Sequence, residues 1–156
     1  MAQRNEDAGE QFTEYVTVII GDQLFGLPIP RVQDVFVPER VTRVPLSPPE
    51  VAGVLNLRGR IVTAIDMRCR LDLEARAAGQ PLMAIGIDLR SESYGLLVDA
   101  VGEVMKFPNS ACEAKPANLD ARWGRVASGV IRLDGQLLVV LDVDRVLDIK
   151  NRAAAA

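Results

Sequence analysis

Carboxylates are the side chains of this sequence that come closest to a chemical site by type and spacing. Asp142, Asp144 and Asp148 lie close together in DVDRVLD, but this stretch lacks the glycine turn and the terminal glutamate of a calcium-binding loop. Asp66 and Asp142 each follow an apolar, strand-like segment, and two such carboxylates could supply a general acid and a general base. They occupy equivalent places in two similar segments, however, which favours a structural role in capping the turn that follows. A carboxylate enzyme stays open as the weaker alternative.

Most other residues that catalysis or metal binding requires are missing. The 156 residues include no histidine, which is the usual general base and the commonest metal ligand. No serine lies in a G-x-S-x-G motif, and no glycine-rich phosphate-binding loop is present. Cys69 and Cys112 form no CxxC pair, which predicts two reduced, structural thiols rather than a zinc site. The sequence therefore predicts a protein that is not an enzyme and has no cofactor and no metal site.

Composition and charge narrow the class of partner. With 49% hydrophobic and 25% charged residues the chain is typical of a globular protein, and one domain is predicted over 12–150, with flexible tails at 1–11 and 151–156. The net charge of −3 disfavours nucleic acid as a partner. The opening MAQRNEDAGEQ is polar and no long apolar run follows, which predicts a cytoplasmic protein without direct membrane insertion. A small barrel that binds nucleic acid is the alternative from a different class, although it needs basic grooves and exposed aromatic residues.

Two blocks of the sequence occur twice, in the same order. GVLNLRGRIVTAIDMRCRL at Gly53–Leu71 matches GVIRLDGQLLVVLDVDRVL at Gly129–Leu147. FGLPIPRVQDVF at Phe25–Phe36 matches YGLLVDAVGEVM at Tyr94–Met105. Because the two matches agree in order and nearly in offset, an internal duplication is predicted. We call the two repeats copy one and copy two.

Each copy is predicted to form five strands. In copy one, Gly21-Asp22 and Arg58-Gly59 are two-residue turns between alternating apolar segments, and each predicts a hairpin. A longer third strand, bent at Pro38, lies between the two hairpins. The predicted strands of copy one are Thr13–Ile20, Gln23–Ile29, Val32–Val44, Gly53–Leu57 and Arg60–Ile65. Those of copy two are Leu82–Ile87, Tyr94–Val98, Val101–Phe107, Gly129–Leu133 and Gln136–Leu141.

Five strands are the number of a small barrel, in which closure hides the sheet edges. The predicted fold class is therefore all-β, with two tandem five-stranded barrels that share a core. The two intertwined subdomains are predicted at approximately 12–71 and 81–147. Short helices are predicted in the linker Asp72–Gln80 and at the C-terminus over Asp142–Asn151.

The turn Arg58-Gly59 is the place where the two copies differ most informatively. Copy two has Asp134-Gly135 there, a common choice for a type I′ turn. If the turns match, Arg58 adopts a positive φ, which costs a non-glycine residue roughly 1–2 kcal/mol. An unfavourable residue at an exposed turn indicates a functional role, against the alternative of an ordinary solvated arginine.

Several of these segments carry a family resemblance. GVLNLRGRIVTAIDMRCRL, FGLPIPRVQDVF, TRVPLSPPEVAGV and YGLLVDAVGEV closely resemble the chemotaxis coupling protein family, CheW, and the likeness extends over Thr13–Leu147. The N-L-R-G turn, followed by an apolar strand that ends in Asp, is its most specific part. Thr63 departs from the pattern, because family members commonly carry proline there.

The resemblance implies a fold and a function. Its members are built from two SH3-like barrels and act as non-enzymatic adaptors that bridge the cytoplasmic tips of methyl-accepting chemoreceptors to the regulatory domain of the histidine kinase CheA. It therefore implies a cytoplasmic scaffold that is associated with receptor arrays through its partners. The chain has no room for a kinase or a receiver, which favours a free-standing coupling protein. Whether it serves the flagellar pathway or is a paralogue in a non-flagellar chemosensory pathway is left open.

The resemblance also implies partner-binding positions, which are Val32, Asp34, Gly53, Arg58, Gly95 and Val101. Core packing is the alternative for the two valines, and a backbone requirement is the alternative for the two glycines. Asp34 and Arg58 have opposite charges and are expected on neighbouring strands of one barrel. Copy two breaks the pair, because it offers Glu103 and Asp134 at the matching positions.

Overall fold

Two β-sheets form the protein in the computed structural model, which describes residues 11–117 and 119–149. In chain order the strands are β1 (Phe12–Ile20), β2 (Gln23–Pro28), β3 (Asp34–Phe36), β4 (Val51–Leu57), β5 (Arg60–Asp66), β6 (Met83–Leu89), β7 (Glu92–Val98), β8 (Ala100–Pro108), β9 (Cys112–Glu113), β10 (Ala127–Leu133) and β11 (Gln136–Leu141). The short helices are α1 (Met67–Arg70), α2 (Ala121–Gly124) and α3 (Val143–Val146), with 3-10 turns at Ile29–Arg31 and Asn109–Ala111. The predicted all-β class is confirmed, as are its hairpins. The predicted tails lie outside the described residues, apart from Gln11.

The two copies exchange hairpins between the sheets. Sheet 1 has the strand order β8-β1-β2-β11-β10-β9, and sheet 2 has the order β3-β6-β7-β5-β4. The first hairpin of copy one thus joins the second hairpin of copy two, through a parallel pairing that places Phe25 opposite Val139. In sheet 2 the equivalent parallel pairing places Tyr94 opposite Thr63. Each sheet combines strands from 12–71 and from 81–147, and the assignment of each range to one subdomain stays a prediction.

The third strand predicted over Val32–Val44, bent and interrupted at Pro38, is shorter than expected and ends before that proline. Only Asp34–Phe36 forms a strand, β3, which pairs with β6. Pro38 lacks the N–H that a continued ladder needs, and the chain leaves the sheet before Thr42 makes a single bridge to Val54 in β4. Because β3 and β4 are the two edges of sheet 2, this bent segment joins the edges and closes the sheet. Copy two closes sheet 1 in the same way with β8 and β9.

Helices α1 and α3 are single turns that follow the second hairpin of each copy, and α2 precedes β10. Asp66 caps α1 by accepting hydrogen bonds from the N–H of Arg68 at 3.0 Å and of Cys69 at 3.3 Å. Asp142 caps α3 by accepting from the N–H of Arg145 at 3.3 Å, which confirms the structural role of both carboxylates.

Of the two segments predicted to be helical, the linker contains no helix and the C-terminal segment contains a short one. Residues 72–80 form turns and irregular backbone in place of the predicted helix, and the helix before them, α1, lies at the end of copy one. At the C-terminus α3 covers Val143–Val146, and the predicted continuation beyond 149 lies outside the described residues. No helix in the described ranges is long and apolar enough to cross a membrane.

Apolar side chains form one shared core and two barrel interiors. Strand β7 shows the alternation, since Leu96 and Val98 face the shared core and Leu97 faces the interior of sheet 2. The shared core lies between the sheets and receives side chains from both of them, including Val18 and Ile85. The interior of sheet 2 is formed by Phe36, Leu55, Val62, Ala64, Ala84 and Leu97, and that of sheet 1 by Tyr15, Ile131, Leu138 and Val140. The predicted shared core is confirmed.

A nearly buried carboxylate ties the sheets to the inter-copy segment. Asp99, at the end of β7, accepts hydrogen bonds from Arg68 at 3.0 and 2.6 Å and from the N–H of Gly21 at 2.8 Å. Arg76 approaches the same carboxylate at 3.7 Å. Burial raises the pKa of Asp99, but the hydrogen bonds from Arg68 and Gly21 lower it more, so the pKa lies below its usual value.

Asp99→Asn is expected to weaken the fold at neutral pH and to flatten its acid dependence. A carboxylate with a lowered folded pKa contributes stability above its unfolded pKa of about 3.9, and that stability is lost as the pH falls through the folded pKa. The variant should lose about 1–3 kcal/mol at pH 7, the size of hydrogen bonds to a charged group. Urea unfolding between pH 7 and pH 2 measures both effects. The exposed Asp148→Asn is the control, and equal acid slopes for Asp99→Asn and the parent chain would contradict the assignment.

Candidate partner-binding surface

The Asp34–Arg58 surface is a mixed charged and apolar patch on sheet 2, defined by Asp34, Val37, Arg58 and Ile61. Arg58 Nη1 lies 3.4 Å from Asp34 Oδ2, and these side chains are 75% and 35% exposed. Val37 and Ile61 are large apolar side chains that are more than half exposed, at 62% and 63%. Exposed apolar groups beside an ion pair are typical of a protein-binding surface.

The β4–β5 turn holds Arg58 in an unfavourable backbone conformation. Its φ is 52° and that of Gly59 is 85°, as a type I′ turn requires. The side-chain oxygen of Asn56 accepts a hydrogen bond from the Gly59 N–H at 2.9 Å. The predicted positive φ of Arg58 is confirmed. In the copy-two turn Gly135 has a φ of 84°, but Asp134 has no positive φ, so the two turns differ in type.

Arg58→Asn is expected to leave the free energy of unfolding unchanged or to raise it by up to about 1 kcal/mol. Asparagine tolerates a positive φ better than arginine, and the exposed ion pair that it removes contributes only about 0–1 kcal/mol. Chemical unfolding of both proteins measures the difference. Asp134→Ala is the matched control in copy two and should stay within about 0.5 kcal/mol of the parent. A loss of more than about 2 kcal/mol in Arg58→Asn would mean that the arginine is needed for folding.

Asp34 is positioned by a close approach to β6. Asp34 pairs with Gly86, and the N–H of Gln33 donates to the Gly86 carbonyl at 2.7 Å. A Cβ at Gly86 would lie 2.1 Å from Asp34 Oδ1, so the absence of a side chain there leaves room for the carboxylate.

A second exposed ion pair lies on sheet 2. Arg60 donates to Asp88 at 3.1 Å and also to Ser93, whose hydroxyl donates to Asp88 at 3.0 Å. Sequence reasoning missed this pair and the two exposed apolar residues. The period-two pattern carried a signal for Ile61, because Val62 faces inward and its neighbour must then face solvent.

A groove of about 550 Å³ adjoins the Asp34–Arg58 pair, with Phe36 and Leu55 among its apolar lining residues. Val37 and Ile61 also line it, together with Arg58. The charged side chains of Glu39 and Arg40 complete it. A partner that reaches Arg58 therefore meets apolar surface at the same time.

The matching part of copy two carries no such pair. Glu103 replaces Asp34, and its backbone carbonyl accepts a hydrogen bond from the Thr17 hydroxyl at 2.6 Å. Asp134 replaces Arg58, so both matching positions are acidic. Next to that turn, on β10, the exposed Arg132 instead pairs with Glu113 at 3.1 Å.

The other four predicted positions contribute to packing. Val32 and Val101 are half-buried against the shared core, which confirms their packing role. Gly53 is buried with a φ of 152°, and a Cβ there would lie 2.2 Å from the Thr42 carbonyl oxygen. At buried Gly95 a Cβ would lie 3.3 Å from Val62 and 3.4 Å from Phe36. The structure thus brings Asp34 and Arg58 together at the surface, and partner binding by all six positions stays a prediction.

Comparison with known proteins agrees with this architecture. Residues 14–151 match the family model described as a CheW-like domain. The chain is 28% identical over 142 residues to the chemotaxis protein CheW of Rhizobium meliloti (strain 1021), covering 91% of this chain and 92% of that protein. It is 25% identical over 140 residues to the chemotaxis protein CheW of Bacillus subtilis (strain 168), covering 90% of each.

A solved structure has the same fold. The scaffolding protein TtCheW from Thermoanaerobacter tengcongensis superposes with a TM-score of 0.74 at 26% identity, over 84% of this chain and 89% of that one. Since the family model covers most of the chain and the fold agrees, this protein belongs to the CheW-like domain family.

Proposed function

We propose that this protein is a cytoplasmic, non-enzymatic chemotaxis adaptor that couples the cytoplasmic tips of chemoreceptors to the regulatory domain of the histidine kinase CheA. Its membrane association is through these partners, as a component of the receptor array. Family membership and the likeness to a scaffolding protein support the adaptor role.

The Asp34–Arg58 pair is the observation that carries the proposal. Arg58 keeps an unfavourable φ of 52° at an exposed turn whose copy-two counterpart is not held in this way. The stabilisation that the exposed Asp34–Arg58 ion pair gives the fold does not explain why Arg58 keeps this unfavourable φ, since such pairs contribute only about 0–1 kcal/mol. A contact with a partner explains why an arginine stands there.

Reconstitution of the signalling complex tests the proposal. Purified chemoreceptor fragments, CheA and this protein are mixed, and CheA autophosphorylation is measured with and without the protein. The adaptor should raise kinase activity only when receptor and kinase are both present, because it bridges two separate surfaces. Competition between kinase and receptor for one shared site would contradict this role, as would no effect on the kinase.

A further inference from the structure

The internal repeat reveals a filled site in one half of the molecule and an open one in the other. The register that aligns Gly53 with Gly129 aligns Ser47 with Trp123. The structure keeps this register. In copy one the Asp66 N–H donates to the Glu50 carbonyl at 2.8 Å, and in copy two the equivalent Asp142 N–H donates to the equivalent Val126 carbonyl at 2.7 Å. A serine therefore stands in copy one where copy two has the only tryptophan of the chain.

Trp123 of copy two fills the space beside Phe25 of copy one, whose strand β2 lies in sheet 1. The two rings meet edge to face with centroids 5.5 Å apart, and Trp123 packs against the shared core. Phe25 corresponds to Tyr94 by the repeat, and each aromatic residue lies opposite an equivalent strand position, Val139 or Thr63. The counterpart of the Trp123 site is therefore the space beside Tyr94.

That space is an open apolar groove of about 240 Å³. Ser47, Thr63 and Tyr94 line it at the corresponding positions, and the remaining lining residues are mostly aliphatic, among them Val51 and Ile65. Its volume suits one large side chain rather than a whole ligand, since ligand sites usually measure about 300–1,000 Å³.

The rim of this groove carries a small negative charge. The neighbouring depression shares Glu92 with the groove and is also lined by Asp144 and Asp148, with Arg90 and Arg145 as the basic groups. Arg145 is paired with Asp142 at 3.6 Å, and Arg31 with Asp144 at 3.1 Å. With these partners counted, the described charged groups around the groove are four acidic and three basic side chains, and this excess of one negative charge favours a basic residue on whatever enters.

The Tyr94 hydroxyl orients the carboxylate on this rim. It donates to Glu92 at 2.7 Å. Burial and this hydrogen bond raise the pKa of Tyr94 to about 12, so the hydroxyl stays protonated at neutral pH.

The segments outside the described residues supply no aromatic side chain for the groove. Residues 1–10, 118 and 150–156, which lie outside the described part, contain no Phe, Tyr or Trp. Leu46, between two residues that line the groove, has a φ of 64° and a fully exposed side chain. This adds apolar surface beside the opening.

We propose that this groove binds an aromatic side chain of a partner protein, in the position that Trp123 occupies in copy two, with a lysine or arginine next to that side chain at the acidic rim. Buried aromatic anchors of this kind supply much of the affinity of protein interfaces. The groove lies across the 41–44 segment from the Asp34–Arg58 surface and is a docking site in addition to it.

Amide chemical shifts of the ¹⁵N-labelled full chain test the proposal with two probes. Indole should shift the amides of Thr63, Ile65 and Tyr94 saturably, with a dissociation constant on the order of 1 mM for so small a ligand. The peptide acetyl-Gly-Trp-Lys-Gly-amide should bind about threefold more tightly than its Trp-Glu analogue, which is the size of an exposed ion pair's contribution.

Blocking variants separate this site from non-specific binding. Ser47→Trp, which supplies the copy-two residue, and Thr63→Leu should each abolish the indole shifts, whereas the exposed Ala114→Trp should leave them unchanged. Absent groove shifts, or shifts that survive both blocking variants, would overturn the proposal. The proposal is also overturned if the groove amides shift with protein concentration alone, because a second copy then occupies the groove. A shift of the same amides on deletion of 150–156 would overturn it too, because the chain's own tail then occupies the groove.

Discussion

Gly53→Ala is expected to lower the free energy of unfolding by about 3–5 kcal/mol, a large share of the roughly 5–15 kcal/mol that stabilises an ordinary domain. The new Cβ would lie 2.2 Å from the Thr42 carbonyl oxygen, and the φ of 152° is one that side chains rarely adopt. The clash is with backbone, and the Thr42–Val54 bridge that closes sheet 2 must break to relieve it. Chemical unfolding monitored by circular dichroism measures the loss.

Two glycines of the same chain provide graded controls. Gly59→Ala also meets a positive φ, 85°, but finds no atom within 4 Å of the new Cβ, so it should cost only about 1 kcal/mol. At Gly129 the Cβ would lie 2.6 Å from the Glu113 carbonyl oxygen without a positive φ, and the cost should be intermediate. If Gly53→Ala is no worse than Gly59→Ala, closure by Thr42 is not what requires the glycine.

Arg58→Glu is expected to reduce receptor-coupled kinase activation at least about tenfold, a loss of about 1.4 kcal/mol of coupling free energy. The change places a second negative charge beside Asp34, on a surface that the proposed function gives to a partner. Stability should change by less than about 1 kcal/mol, because the pair is exposed. The measurements are CheA autophosphorylation in the reconstituted complex and the melting temperature.

A double reversal distinguishes partner contact from local structure. Asp34→Arg with Arg58→Asp restores an ion pair but inverts its direction, and it should stay inactive if a partner contacts these charges. Arg132→Glu breaks the exposed pair with Glu113 in copy two and should retain full activity. Restored activity in the double variant would make the pair a structural element only.

Local patterns predicted the hairpins because alternation and turn residues are properties of neighbouring positions. Val62 and Ala64 indicated an inward face, and Arg58-Gly59 indicated the turn between β4 and β5. Alternation does not encode which strand lies alongside, however, so the exchange of hairpins between the copies was not predictable from it. The closing bridge at Thr42 was likewise hidden, since one bridge leaves no periodic signal.

For the candidate site, turn chemistry indicated a role for Arg58 and the family resemblance implied Asp34, and the structure places Arg58 Nη1 3.4 Å from Asp34 Oδ2. Trp123 lies outside every predicted strand and helix, yet in the structure it belongs to α2 and packs on Phe25. Tertiary packing, which local pattern does not encode, determines where such a lone aromatic residue lies. Exposed Val37 was missed, since it follows β3 in an irregular segment where no period distinguishes inside from outside.

The exchange of hairpins sets an order for folding during synthesis on the ribosome. All five strands of sheet 2 lie within 34–98 and leave the ribosome together, so this sheet can form while the rest of the chain is still being made. Sheet 1 needs β11, the last strand, beside β2, one of the first. Until β11 is made, β2 remains an unpaired edge with Phe25 and Leu27 uncovered, and a nascent chain that stalls before Gln136 presents that edge to its neighbours.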